Sequence, residues 1–195
     1  EKSIKENEFQ LNRLAHEIHE NRVKVLPILI KKLIQILEQL GMPNARFDIK
    51  INETASYFKN GKDELQFLFS ANKGSDFGVV KKVASGGELS RIMLAVKAIL
   101  AKYSKLPTII FDEIDTGVSG EIANKMGDIM KEMSQTMQVF TITHLPQIAA
   151  KGSTHFKVFK TVLNEQTHSE LKRLSNEERV LEIAQMLSGM QVSDS

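Results

Sequence analysis

Three short segments carry residue types that could handle a phosphate ester. The first, Ala84-Ser85-Gly86-Gly87-Glu88-Leu89-Ser90-Arg91, sets a small hydroxyl and two glycines at the mouth of an amphipathic helical pattern. Backbone N–H groups at a helix start are unpaired, the macrodipole adds positive potential, and glycines let an anion approach the main chain closely. A capping box from Ser85 to Glu88 explains those two residues but gives no reason for consecutive glycines. The second segment, Ile109-Ile110-Phe111-Asp112-Glu113, ends an apolar run on two adjacent carboxylates. Ligands of open α/β sheets gather outside the carboxyl ends of the strands. Successive side chains point to opposite sides, so one acid can hold Mg2+ through water while the other takes a proton from an attacking water. Solvated acids opening a loop are the simpler reading of any single Asp-Glu pair. In the third segment, Thr143-His144 leaves the next apolar run at the same expected sheet edge, where an imidazole could donate to a γ-phosphate. A lone His is more often structural, and only that shared edge argues otherwise.

Periodicity supplies the elements that hold these segments. Leu89, Ile92, Met93, Val96, Ile99, Leu100 and Tyr103 form one stripe, so a helix starting near residue 85 should turn that stripe inward. The run Thr108-Ile109-Ile110-Phe111 is apolar on both faces and belongs in a covered parallel sheet. A helix with Ile122, Met126, Ile129, Met130 and Met133 inward leads to Val139-Phe140-Thr141-Ile142, which completes a βαβ unit. Two shorter strands are expected around 154–161 and 167–173, then a helix capped by Ser175 with Glu178 and closed by Gly189.

Upstream, Leu11, Leu14, Ile18 and Val25 follow three-, four- and seven-residue steps, the seam of a short coiled coil. Pro27 should kink or restart that helix. Beyond it Ile30, Leu33, Ile34, Leu37 and Leu40 share a face before Gly41 and Pro43 stop it. Phe47, Ile49 and Ile51 alternate with polar residues, as do Leu65, Phe67 and Phe69 beyond an Asn60-Gly61 turn, giving an antiparallel β element within residues 45–82. The domains are therefore 1–40, a coiled-coil end with its connecting helix, and 41–195, an α/β lobe with a parallel sheet flanked by helices.

Composition narrows the chemistry. The 195 residues include no cysteine, which excludes disulfides, thiol catalysis and Cys-ligated zinc, and suits a reducing cytosol. A net charge of +2 is too mild to announce nucleic acid, and Lys81, Lys82, Lys157, Lys160, Lys172 and Arg173 are scattered. No apolar run approaches the roughly 20 residues of a membrane span. The opening Glu1-Lys2-Ser3-Ile4-Lys5 has neither Met nor a signal core and reads as part of a longer chain. Gly117-Val118-Ser119-Gly120 imitates a hydrolase elbow but ends on Glu121 where glycine is needed, and His16-Glu17-Ile18-His19 lacks the spacing of a zinc helix.

Together, in this order, the three segments resemble the signature motif, Walker B strand and H-loop of ABC ATPases, with Ile114-Asp115-Thr116-Gly117 as the D-loop. Their wording, VASGGELSRIMLA from Val83, FDEIDTGVSG from Phe111 and THLPQIAA from Thr143, is similar to the RecN-like branch of the SMC-like ABC ATPases, bacterial DNA-repair proteins. Leu40-Gly41-Met42 matches the turn that such chains place after their coiled coil. The resemblance implies the C-terminal lobe of a P-loop NTPase head, with an N-terminal coiled-coil stub. It implies two heads sandwiching two ATP with Mg2+: Asp112 (metal, through water), Glu113 and His144 (catalytic) from one subunit, and Ser85, Gly86, Gly87, Glu88 and Asp115 from the other. It further implies DNA as partner during double-strand-break repair, the SOS response, and a cytoplasmic, nucleoid-associated location. No G-x-x-x-x-G-K-[ST] is present; the nearest fragment, Gly61-Lys62-Asp63, lacks the upstream glycine and the hydroxyl. The Walker A loop is therefore expected on a separate N-terminal lobe, and this chain alone is expected to be inactive. Two other readings stay open: another SMC-like chromosome-maintenance head, or an interaction lobe without turnover.

Overall fold

The computed structural model describes residues 2–188 apart from 105, 119, 164 and 165. Two compact units divide it, Glu1–Ile99 and Leu100–Ser195. In the first, helix α1 (Lys2–Gln39) packs on an antiparallel hairpin of β1 (Arg46–Phe58) and β2 (Gly61–Ser70), to which the short β3 (Gly78–Val79) adds an edge. Phe47 faces Phe69, Ile49 faces Phe67 and Ile51 faces Leu65, the register expected from the alternation. Leu33, Leu37 and Leu40 from α1 and its end, with Phe47, Ile49 and Phe69 of the hairpin, form the core. Gly41 ends α1 at φ 77°, and Met42 N–H reaches back to Leu37 O at 2.8 Å, a left-handed cap that favours glycine.

Of the kink or restart expected at Pro27, the restart does not occur: α1 runs unbroken through it. Pro27 and Val23 are both exposed, so the Val23 carbonyl that loses its N–H donor can turn to water, and the helix continues through it. The seam residues Leu11, Leu14, Ile18 and Val25 lie on the surface. One polar clamp ties α1 to the hairpin: Asp63, 3% exposed, accepts from His19 Nδ1 at 2.7 Å and from Arg22 at 2.8 Å. Burial presses the Asp63 carboxyl upward, but these bonds outweigh it and hold it below its ordinary value, while the bond to Asp63 raises the His19 imidazole.

A short helix α2 (Val80–Val83) and the longer α3 (Gly86–Ala101) follow. The buried side of α3 is Ile92, Leu94, Ala95, Ala98, Ile99 and Ala101, whereas Met93, Leu100 and Tyr103 of the expected stripe are exposed. Ala95, Ala98 and Ala101 occupy much of the inward face of α3, so the buried side is displaced from the stripe of large side chains.

In the second unit, β4 (Thr108–Asp112) and β5 (Gln138–Ile142) pair in parallel, with Asp112 opposite Ile142. Helix α4 (Gly120–Met133) makes the crossover, burying Ala123, Met126, Gly127, Ile129, Met130 and Met133. Gly127 lets α5 (Pro146–Ala149) lie close: a Cβ there would meet Lys151 Cγ at 2.8 Å and the Gln147 carbonyl at 3.4 Å. A hairpin of β6 (Phe156–Leu163) and β7 (Gln166–Arg173) precedes α6 (Asn176–Ser188), whose capping box forms as expected, with Ser175 N–H on Glu178 at 2.9 Å and Glu178 N–H on Ser175 Oγ at 3.2 Å. Gly189 lies outside the described residues. The parallel pair departs from expectation in one respect: it is covered on one face only. Ile110 is 65%, Ile142 57% and Phe140 43% exposed, while Phe111 on the opposite side is buried.

Candidate nucleotide site

The acidic edge is built by strand pairing and one unusual turn. Asp112 is the last residue of β4 and is exposed. Glu113 follows at φ 48°, the one non-glycine residue with positive φ among those described. That conformation turns the chain sharply out of the strand. Its carbonyl accepts the Thr116 hydroxyl at 2.9 Å, and Val118 N–H then bonds Asp115 O at 3.2 Å, so a compact loop projects Glu113 into solvent. Backbone strain of this kind is held where the surroundings over-determine it, and it concentrates at functional sites. An exposed carboxylate at a strand terminus fits Mg2+, which keeps most of its waters and takes one or two protein carboxylates beside phosphate oxygens. No cluster of three or more His, Asp or Glu among the described residues would hold a metal by itself.

Beside this loop, β5 delivers Thr143 and His144. Asp115 is fully buried; the Thr143 hydroxyl donates to its Oδ2, and His144 Nδ1 stands 3.7 Å from its Oδ1. The His144 side chain is 70% exposed. Asp115, Thr143 and His144 thus form one group at the edge that also bears Asp112 and Glu113. With no accessible surface, Asp115 reaches a partner's nucleotide only if the loop opens. Nothing in the sequence singles out Thr143: a threonine leaving a strand is ordinary, and only the Ile114–Gly117 loop folding back beneath it gives it the Asp115 partner.

Ser85, Gly86, Gly87 and Glu88 belong to the first unit. Here the capping box is formed: Ser85 N–H and Oγ–H donate to Glu88 at 2.8 and 2.9 Å, and Glu88 N–H returns to Ser85 Oγ at 3.4 Å. Glu88 therefore serves the cap, and an ionised carboxylate, which only accepts hydrogen bonds, offers none to phosphate. The cap leaves the glycines unexplained. Gly86 has no positive φ, and a Cβ on it would meet nothing within 4 Å. Neither conformation nor packing requires glycine there, so the bare helix mouth remains open to an anion.

Comparison with known proteins bears on this arrangement. No protein-family model matches the chain. The DNA repair protein RecN of Rickettsia conorii is 42% identical over 194 residues, covering 97% of this chain and 35% of the relative. Over nearly its whole length this chain is similar to that RecN protein. It spans about a third of the length of the curated RecN relatives it matches. The Smc head domain with a coiled coil and joint from Pyrococcus yayanosii superimposes with a TM-score of 0.68 at 19% identity, over 94% of this chain and 34% of that one. A structure from work on ATP-driven dimerization and DNA stimulated activation of SMC ATPases gives 0.55 at 20% identity, over 88% and 98%. The fold of this chain is accordingly that of an SMC head. No described helix is long and apolar enough to cross a membrane.

Proposed function

We propose that this chain is the C-terminal half of the ATP-hydrolysing head of a RecN-like protein that acts in recombinational repair of DNA double-strand breaks. The observation that carries the reading is the parallel pair β4–β5, which ends in Asp112-Glu113 while leaving the apolar face of Ile110, Phe140 and Ile142 open. Parallel sheets are stable when covered on both faces, so this face calls for a further layer. A lobe bearing the Walker A loop supplies both that cover and the phosphate cradle that the 195 residues lack. The exposed seam of α1 suits a second coiled-coil strand in the same way.

In the assembled head Asp112 would hold Mg2+ through water, and the ion would supply positive charge that offsets that of the phosphates. Glu113, thrown clear of the strand, takes the proton of the attacking water. His144 addresses the γ-phosphate from β5. The mouth of α3, with Ser85, Gly86 and Gly87, meets the γ-phosphate held by a second head, so hydrolysis depends on head dimerisation, with DNA engaged by the whole protein. In the two-lobe protein, Glu113→Gln keeps size and reach but cannot accept the proton; hydrolysis falls by roughly 10²–10⁴-fold while Mg-ATP binding and an ATP-held dimer persist. Asp112→Asn weakens Mg-ATP affinity itself. Loss of binding in Glu113→Gln with retention in Asp112→Asn shows the roles are exchanged.

A further inference from the structure

Asp115 is a puzzle as a solvent-facing loop residue, because its carboxylate is wholly buried and only one of its oxygens is satisfied. Oδ2 takes the Thr143 hydroxyl proton, and Thr143 Oγ1 in turn accepts Leu145 N–H at 3.0 Å, which locks the hydroxyl in place. Oδ1 is buried without a hydrogen-bond partner. A buried carboxylate oxygen without a donor is costly and draws the nearest available one. That donor is His144 Nδ1, at 3.7 Å and on the following residue of the same strand exit as Thr143. A movement of under 1 Å by an exposed ring brings it within hydrogen-bond range, and catalytic contacts are commonly long before the substrate arrives.

We propose that Asp115 is a positioning residue: it holds the Nδ1–H of His144 and fixes the tautomer and orientation of the ring, so that Nε2 faces the γ-phosphate and donates to it when the ring carries both protons. Thr143 completes the device by anchoring the other carboxylate oxygen. The same logic governs catalytic imidazoles whose second nitrogen is held by a carboxylate. The inference rests on the ATPase reading above and gives Asp115 a task within its own subunit, in place of the contact to a partner's nucleotide expected from the D-loop.

Long-range proton–nitrogen correlation spectra of histidine-labelled chain, with His144 assigned by loss of its signal in His144→Gln, report the tautomer directly. In mildly alkaline buffer His144 should carry its proton on Nδ1, and Asp115→Asn should move it to Nε2, the form a free imidazole favours in water. In the assembled two-lobe protein Asp115→Asn should lower kcat by roughly 10- to 100-fold with KM little changed. Thr143→Val should act in the same direction, and Thr143→Ser, which keeps the hydroxyl, should behave as wild type. An Nε2-protonated His144 in the wild-type chain overturns the inference whether or not any variant folds. So does a rise in KM at constant kcat, which marks a nucleotide contact, or a Thr143→Ser variant as damaged as Thr143→Val. Absence of ATP turnover by the assembled wild-type protein overturns the ATPase reading instead, and the tautomer then stands as a separate result.

Discussion

Replacing Glu113 by glycine should remove the chemistry and yet stabilise the chain. At φ 48° the Glu113 Cβ sits against its own following carbonyl, a conformation that costs an L-residue about 1–2 kcal/mol. Glycine escapes that penalty but loses roughly 0.5–1 kcal/mol in backbone entropy on folding. The net gain is thus on the order of 0–1.5 kcal/mol, with a central value near 0.5–1. Nothing offsets it through lost packing, because the side chain is exposed. Glu113→Gln keeps the Cβ and the strain, and should lie within about 0.5 kcal/mol of wild type, as most exposed substitutions do. The informative quantity is therefore the difference between the two variants, which at this chain length is about 1–4 °C in Tm. Lys125→Gly, at an exposed helical position of α4, supplies the opposite sign, a loss of about 1 kcal/mol. Urea and thermal unfolding of the three variants measure all of this. A Glu113→Gly chain less stable than Glu113→Gln would refute the argument that function, and not folding, keeps glutamate at this turn.

In the assembled protein Ser85→Arg should abolish hydrolysis while each head still binds Mg-ATP, because a bulky cation blocks the mouth of α3 without touching the subunit's own pocket; equal losses in nucleotide titration and turnover would place Ser85 in its own site. The clamp of His19, Asp63 and Arg22 should make the first unit pH-sensitive. The raised His19 contributes fully below its ordinary value of 6.5, and that contribution disappears as pH rises through the higher folded value. The depressed Asp63 contributes above its ordinary 3.8 and is lost as pH falls through its lower folded value. Amide protection in β1 and β2, with the intrinsic pH dependence of exchange divided out, should therefore be greatest between about pH 4 and 6.5, and His19→Gln should remove the alkaline limb; an unchanged limb would mean that the clamp is idle.

What could be read in advance was what depends on local pattern. The alternation from Phe47 to Ile51 and from Leu65 to Phe69 specifies a register, because a one-residue slip turns every side chain to the wrong face. The apolar runs at Ile109 and Val139, separated by one amphipathic helix, admit little besides a parallel pair with a crossover. The failures share a cause outside the local pattern. Pro27 passes within α1 because the orphaned carbonyl lies on a wet face, which a sequence does not display. On α3 alanines mark much of the buried side, which a stripe of large residues does not trace. The open face of β4–β5 reflects what covers the sheet, not the sheet's own composition. Burial of Asp115 is a tertiary event, since nothing in Ile114-Asp115-Thr116-Gly117 indicates that its carboxylate folds under Thr143 and His144. The φ of Glu113 is equally silent, as glutamate has no preference for that region.

The central claim, that this chain holds the acids of an ATPase but not its phosphate cradle, is tested most directly by ATP hydrolysis under one Mg2+ concentration for the chain alone, a Walker A-bearing lobe alone, and the two together. The account predicts turnover only from the mixture, with at most feeble nucleotide binding by the chain alone. Saturable low-micromolar ATP binding or measurable turnover by the 195 residues alone would contradict it.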